Sequence, residues 1–256
     1  MICIFTDLDG CLLDEEYRWQ PAKKGLNEIK KRDIDLCIVT SKTFEEVVPL
    51  WKELELDSPF AYENGGGIAA PPGLLDEIDE DKGGFELSYL GKDYDKLRKV
   101  FEQVKEKVQG LKGFGDMTVR EISETSGLDL DSAKRAKKRR HEEVFLPDDE
   151  AASLFEERGY RVVKGTRYYH LMGDVDKGAA VQRLKEILKP EISFSIGDSE
   201  NDYPMFKVTD KGALLGGKKP IETDYGIDWK KVEIREGKGP RVWDEVVRDF
   251  LEDPAL

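Results

Sequence analysis

Short apolar runs alternate with amphipathic segments through the first sixty residues of the chain. The apolar runs at residues 2–5 and 36–39 have the length and composition of buried strands, whereas residues 22–31 and 43–54 place apolar side chains at helical spacing. Pro49 interrupts the second helical pattern and predicts a kink or a break there. Strands and helices that alternate over such short connections predict βαβ units and a parallel sheet.

The same alternation returns in the last part of the chain, after residue 172. Residues 176–188 predict a helix, the apolar run at 192–196 predicts a strand, and another helix begins near Glu200. The two stretches together predict an α/β fold with a doubly wound, Rossmann-like parallel-sheet core. We expect this core to comprise residues 1–82 and 172–256.

The middle of the chain has a different texture. Residues 71–84 are rich in Pro, Gly and acidic side chains, as in a loop at a domain boundary. Because an α+β block then lies inside the sequence of the other domain, we expect an inserted second domain over residues 83–171. Its predicted elements are an apolar strand at 85–90, a long helix at 93–109, two shorter helices, a strand at 144–146, a helix at 148–158 and strands at 160–163 and 167–172.

The composition argues against several classes of partner. The 256 residues include 41 Lys or Arg and 54 Asp or Glu, which gives a formal net charge of −13 and disfavours nucleic acids and membrane surfaces. No stretch approaches the length of a membrane-spanning helix, and the N-terminus lacks the basic region of a signal peptide. The three cysteines, two of them in apolar runs, predict reduced thiols in a cytoplasmic protein.

Acidic side chains directly follow two of the predicted strands. Asp7 and Asp9 come after the first strand, and Asp198 and Asp202 come after the strand at 192–196. Taken singly, the first pair fits a turn, and the second fits the acidic first turn of a helix. If all four share one site, each pair of charges at 4 Å costs ~4 kcal/mol at an effective dielectric near 20. Such a cluster needs a cation, and an all-oxygen site suits Mg²⁺.

Two further side chains fit the same edge of the sheet. Thr40 ends the strand at 36–39, where its hydroxyl could hold a phosphate oxygen, although Thr is common in strands. Lys177 opens the helix at 176–188, where the helix dipole favours anions rather than cations. A lysine there is either exposed or turned towards carboxylates and an anionic ligand.

The order of these residues along the chain resembles the haloacid dehalogenase superfamily of phosphatases. The resemblance consists of DxD after the first strand, Thr after the next, a distant Lys and then GDxxND, with a cap domain inserted late in the chain. One departure is Cys11, where this family usually has Thr. More narrowly, the chain is similar to the mannosyl-3-phosphoglycerate phosphatase family in VTSKT (39–43), YENGGGI (62–68), AKKRRHEE (136–143), GTRYYH (165–170) and VDKGAAV (175–181).

The resemblance implies a role for each core residue. Asp7 is expected to be the nucleophile that forms an aspartyl phosphate, and Asp9 to protonate the leaving oxygen and later activate water. Thr40 and Lys177 are expected to hold the phosphoryl group. Mg²⁺ is expected to bind Asp7, the backbone carbonyl of Asp9 and Asp198, with Asp202 in support.

The residues that contact the rest of the substrate are harder to assign. The basic run KRAKKRRH at 134–141 fits a solvated helix face, a nucleic-acid surface or, through Arg139, a bidentate contact with a substrate carboxylate. Arg167 is a similar candidate, whereas His170 lies among aromatic residues and predicts packing rather than catalysis. We also expect substrate contacts from three residues that follow strand ends, namely Lys42, Glu63 and Asn64.

The function implied by the resemblance is Mg²⁺-dependent hydrolysis of a phosphorylated sugar–glycerate, mannosyl-3-phosphoglycerate, to mannosylglycerate and phosphate. Another sugar phosphate, such as the glucosyl analogue or sucrose phosphate, is the close alternative. A phosphosugar mutase would share this core but release no free phosphate. A binding module without catalysis is the third class.

Overall fold

The computed structural model describes residues 1–165, 167–217 and 226–252. In chain order its strands and helices are β1 (Ile2–Thr6), α1 (Lys23–Lys31), β2 (Asp35–Ile38), α2 (Phe44–Glu53), β3 (Phe60–Tyr62), β4 (Gly67–Ala70), β5 (Glu80–Lys82), β6 (Phe85–Tyr89), α3 (Tyr94–Lys105), α4 (Val119–Ser126), α5 (Leu130–Ala136), β7 (Glu142–Phe145), α6 (Asp149–Glu156), β8 (Arg161–Lys164), β9 (Tyr169–Met172), α7 (Lys177–Leu188), β10 (Ile192–Gly197), α8 (Tyr203–Val208), β11 (Lys211–Leu215), β12 (Val232–Arg235) and α9 (Pro240–Glu252).

A parallel sheet forms the centre of the core, in the order β12-β11-β10-β1-β2. Alternate side chains of β1 enter the two apolar layers that cover the sheet. Ile4 packs in the layer that includes α1, α2 and α9, while Cys3 and Phe5 pack in the layer that includes α7. Burial on both faces explains why these strands are continuously apolar in sequence. The predicted doubly wound α/β core is therefore confirmed.

Helix α2 continues through Pro49 without the predicted break. Thr43 caps its first turn in a reciprocal bond with Glu46, and Phe44 and Val47 bury the face that packs on the core. Capping and burial hold the helix together although Pro49 lacks a backbone N–H group. None of the helices in the described ranges combines the length and apolar composition needed to cross a bilayer.

An antiparallel sheet, in the order β3-β4-β6-β5, extends the core beyond β2. Strand β6 lies within the segment that the sequence placed in the inserted domain. Its side chains Phe85 and Leu87 are nevertheless buried in the same cluster as Ile4. Strand β6 also pairs with β4 of the core. We therefore propose that the insertion begins after Tyr89 rather than at residue 83.

The inserted domain has its own antiparallel sheet, in the order β7-β9-β8. One face packs on α3 and α6 through Phe101, Phe145 and Phe155. Glu142 and His170 belong to the alternate positions of β7 and β9, so they lie on the opposite face. The two domains thus meet with polar side chains of the inserted sheet near the core.

Candidate active site

The site lies at the carboxyl edge of the parallel sheet, where β1 and β10 end. Asp7 follows β1 and Asp198 follows β10, and neighbouring parallel strands bring the two loops side by side. Gly10 permits this approach because its φ is +76° and a Cβ atom there would lie 2.5 Å from Asp198 Oδ2. The edge of the sheet therefore gathers carboxylates from distant parts of the chain, as the motif order predicts.

Lys177 connects two of these carboxylates from below. Its Nζ atom lies 2.7 Å from Asp7 Oδ1 and 2.6 Å from Asp202 Oδ1, and the side chain is buried. Burial lowers the pKa of Lys177, but Asp202 and Asp7 raise it by more, so its pKa lies above the usual value. The residue is thus a fixed positive charge beneath Asp7 rather than an exposed helix-start lysine.

Burial also dominates the titration of Asp7. It raises the pKa of Asp7 to about 8, an effect that the Lys177 ammonium opposes and that the neighbouring carboxylates strengthen. Ionised Asp7 is therefore disfavoured by burial and by the neighbouring carboxylates, and added positive charge such as a bound cation would favour it.

The residues present fit a hard cation. One oxygen each of Asp7 and Asp198 and the Cys11 sulfur lie within 4.8 Å of one another. Burial raises the pKa of the Cys11 thiol well above its usual value, so it stays protonated and is a poor ligand. The oxygen atoms are the donors that Mg²⁺ prefers. Asp7 and Asp198 are thus the side chains that could hold it.

Asp202 and Asp9 have other partners. Asp202 Oδ2 accepts the backbone N–H groups of Asp198 at 2.9 Å and Ser199 at 3.1 Å, so it fixes the loop that carries Asp198. The Asp9 carboxylate lies 2.8 Å from Lys42 Nζ, and Lys42 lies over the Tyr17 ring. Neither carboxylate is in the group formed by Asp7 and Asp198. A supporting part for Asp202 and a metal contact from the Asp9 backbone carbonyl stay predictions.

Thr40 is buried and adjoins both Lys42 and Asn64. Its Oγ1 accepts the Lys42 N–H at 3.2 Å, and its carbonyl accepts the Asn64 N–H at 2.9 Å. Lys238, which was not predicted from the sequence, donates to Asp198 Oδ2 at 2.7 Å. In the sequence, Lys238 could have been found from its position in EGKGP, directly after β12, because β12 ends at the same edge of the parallel sheet.

Glu63 and Asn64, for which substrate contacts stay a prediction, contact the inserted domain. The Glu63 carboxylate accepts the backbone N–H groups of Arg140, His141 and Glu142 at 2.9, 2.6 and 3.1 Å. Burial raises the pKa of Glu63 to about 7, although the Arg139 charge and these N–H groups oppose the rise. Asn64 donates to Glu142 Oε2 at 2.9 Å.

The predicted arginines differ in their surroundings. The Arg139 side chain is only 6% exposed, donates to the Ser41 carbonyl at 2.8 Å and pairs with the Glu142 carboxylate. Arg167 is exposed and donates to the Ser126 carbonyl at 2.8 Å. The basic run that contains Arg139 is therefore partly built into the domain contact and is not a wholly solvated face. Binding of substrate by either arginine stays a prediction.

His170 faces the domain contact rather than the aromatic layer. Its Nδ1 lies 3.2 Å from Glu142 Oε1. Burial lowers the pKa of His170 to about 3, and the charges of Arg139 and Lys177 lower it further. The ring is thus neutral near pH 7. The alternation of β9 turns His170 away from Tyr169, whose ring packs on Phe145.

Comparison with known proteins shows the family to which this chain belongs. The sequence profile of the haloacid dehalogenase-like hydrolases matches residues 4–116 and 149–221. The glucosyl-3-phosphoglycerate/mannosyl-3-phosphoglycerate phosphatase of Persephonella marina is 40% identical over 98% of this chain and 97% of its own length. The protein of the same name from Methanococcoides burtonii is 38% identical over 97% of this chain and 96% of its own length.

A solved structure shares the fold at much lower sequence identity. The Thermoplasma acidophilum protein 0175 has a TM-score of 0.70 and 18% identity, and the match covers 99% of this chain and 98% of that one. The profile spans most of the chain, and the two relatives span nearly all of it. The chain therefore belongs to the haloacid dehalogenase-like hydrolases and is a phosphatase.

Proposed function

We propose that the protein hydrolyses mannosyl-3-phosphoglycerate, and its glucosyl analogue, to the glycosylglycerate and free phosphate in the presence of Mg²⁺. The observation that carries the proposal is the buried Lys177 between Asp7 and Asp202, with Asp198 beside Asp7. The names of the two full-length relatives support this substrate class. A cytoplasmic location also stays a prediction.

In the proposed reaction the Asp7 carboxylate attacks phosphorus, and the bond from phosphorus to the glycerate oxygen breaks. Asp9 gives its proton to that oxygen and then takes a proton from the water that hydrolyses the aspartyl phosphate. Lys42, 2.8 Å from Asp9, holds the Asp9 side chain over the site. The two steps together consume one water and restore both carboxyl groups.

Lys177 balances the negative charge that Asp7 brings to an anionic phosphate, and Thr40 offers its hydroxyl to a phosphoryl oxygen. When bound to Asp7 and Asp198, Mg²⁺ would supply positive charge that favours ionised Asp7 and offsets the phosphoryl charge. Fixed charges of this kind suit phosphate monoesters, whose hydrolysis needs up to ~10²¹-fold acceleration.

Recognition of the glycerate carboxylate falls to cations of the inserted domain. Arg167 suits this role because its side chain is exposed and its guanidinium donates to a neutral backbone carbonyl, that of Ser126, rather than to a carboxylate. Arg139 could contribute only if it exchanged part of its pairing with Glu142 for the substrate. A planar guanidinium binds a carboxylate through two parallel hydrogen bonds.

A panel of substrates tests the proposal. Phosphate release is measured with Mg²⁺ and with excess chelator for mannosyl-3-phosphoglycerate, glucosyl-3-phosphoglycerate, sucrose 6-phosphate and p-nitrophenyl phosphate. We expect the two glycosyl-phosphoglycerates to give the highest kcat/KM, and release to cease in chelator. A higher kcat/KM for sucrose 6-phosphate would reassign the substrate. Conversion of a sugar phosphate to its isomer without free phosphate would indicate a mutase.

A further inference from the structure

Glu63 lies in a strained turn that is joined to the catalytic loop, residues 39–43, which follows β2. Glu63 and Asn64 are consecutive non-glycine residues with left-handed φ angles of 48° and 52°. The turn is held by backbone bonds from Glu63 N to the Lys42 carbonyl at 2.8 Å and from Asn64 N to the Thr40 carbonyl at 2.9 Å. The position of Glu63 is therefore tied to Thr40, which is expected to hold the phosphoryl group, and to Lys42, which pairs with Asp9.

The Glu63 carboxylate binds the inserted domain through three successive backbone N–H groups, those of residues 140–142. Successive N–H groups that converge on one anion form a concave binding site for negative charge. The carboxylate is 1% exposed, so water does not compete for these bonds. Because the anion comes from the core and the donors from the insertion, this contact joins the two domains directly.

The contact is also closely packed. His141 lies against Gly66 and Gly91, and a Cβ atom at either glycine would come within 2.3 or 2.9 Å of the His141 Cβ. Gly66 follows the Glu63 turn, and Gly91 lies in the first connection between the core and the insertion. The fit leaves little room for the segment at 140–142 to shift while Glu63 holds it.

Side chains at the two ends of this segment contact the core and β9. Arg139 precedes it and donates to the Ser41 carbonyl of the catalytic loop at 2.8 Å. Glu142 ends it and contacts Asn64 of the core and His170 of β9. Asn64 in turn accepts from Asn201, which belongs to the loop between Asp198 and Asp202, at 3.2 Å.

We propose that Glu63 is a positioning residue, which fixes the inserted domain over the catalytic edge by binding the backbone N–H groups of residues 140–142. It acts through Arg139, Glu142 and His170 and does not touch the reacting atoms. Its effect on the sugar substrate rests on the proposed function, whereas its effect on the domain contact does not. Hydrolysis of a small phosphate ester, which needs only the core residues, should depend little on Glu63.

Amide hydrogen exchange and kinetics test the proposal together. In Glu63→Gln, neutral hydrogen bonds replace charge-assisted ones, so exchange at residues 140–142 should quicken about tenfold while exchange in β9 stays unchanged. The kcat/KM for mannosyl-3-phosphoglycerate should fall about tenfold, with p-nitrophenyl phosphate hydrolysis within about twofold of the parent. Glu63→Asp keeps the charge but shortens the reach, and it should give a smaller change in both measurements.

Glu86→Gln is the matched control. Glu86 is also a buried carboxylate that accepts backbone N–H groups, at Gly73 and Leu75, but all of them belong to the core. It should leave exchange at residues 140–142 unchanged. Unaltered exchange in Glu63→Gln, or an equal change in Glu86→Gln, would overturn the proposal. Equal kinetic losses on both substrates would also overturn it, because Glu63 would then act on the core site.

If neither glycosyl-phosphoglycerate is a substrate of the parent enzyme, the proposed function fails, but the exchange result still decides the role of Glu63. If Glu63→Gln does not fold, Glu63→Asp carries the same test. An Asp variant that exchanges at the parent rate at residues 140–142 would contradict the proposal.

Discussion

Replacement of Lys177 by methionine is expected to destabilise the protein strongly. Methionine has nearly the length of lysine, so the change removes a charge and leaves little cavity. It also leaves the buried carboxylates of Asp7 and Asp202 without the ammonium that lies 2.7 and 2.6 Å away. Removal of one partner from a buried ion pair costs about 3–5 kcal/mol. For a chain of this size, that corresponds to a fall in Tm of roughly 6–20 °C.

The assay is urea unfolding in chelator, so that no metal replaces the missing charge. Lys185→Met is the control, because Lys185 lies on the same helix but donates to a backbone carbonyl, and it should cost about 1 kcal/mol or less. Adding Asp202→Asn to Lys177→Met should recover stability, since it removes the charge that Asp202 would otherwise carry without a partner. A free energy of unfolding for Lys177→Met within about 1 kcal/mol of the parent would refute the reasoning.

Three other outcomes follow from the site. Chelator should abolish phosphate release and Ca²⁺ should inhibit it, because Ca²⁺ takes longer bonds and more ligands than Mg²⁺ and would engage Asp7 through both oxygens. Full activity in chelator contradicts this. Arg167→Ala should lower kcat/KM for mannosyl-3-phosphoglycerate by about ten- to a hundredfold, with p-nitrophenyl phosphate hydrolysis unchanged. Equal losses would mean that Arg167 supports folding. Burial lowers the pKa of His141 to about 4. Between pH ~6.5 and 4, His141 therefore binds a proton in the unfolded chain but stays neutral in the folded one. Stability should therefore fall between pH 6 and 4.5 less steeply in His141→Phe than in the parent, by about 1 kcal/mol per pH unit. Identical slopes would contradict it.

The carboxyl edge of the sheet was predictable from the sequence because each of its residues follows an apolar run. Once the strands are parallel, Asp7, Thr40 and Asp198 must meet at one edge, whatever their separation along the chain. Lys177 was predictable for a different reason. A lysine at a helix start is unfavourable by itself, and its placement indicated an anionic neighbour.

The domain contact could not be predicted in the same way. Nothing local distinguishes a Glu63 that binds substrate from one that binds the N–H groups of residues 140–142, because the partner lies 77 to 79 positions away. Strand β6 was misassigned for a related reason. Its apolar pattern predicts a strand but not the strand it pairs with. Its partner β4 begins in a glycine-rich stretch that resembles a loop, so the pairing is visible only in the folded structure.

Phosphate release by Asp7→Asn tests the central claim most directly. The variant is nearly isosteric but lacks the anionic nucleophile, and it relieves repulsion in the acidic cluster, so its metal-free stability should equal or exceed that of the parent. Asp35→Asn, a change at the opposite end of the neighbouring strand, is the control. With mannosyl-3-phosphoglycerate and Mg²⁺, the parent and the control should release phosphate, and folded Asp7→Asn should release none. Turnover by Asp7→Asn above a few per cent of the parent rate would contradict the account.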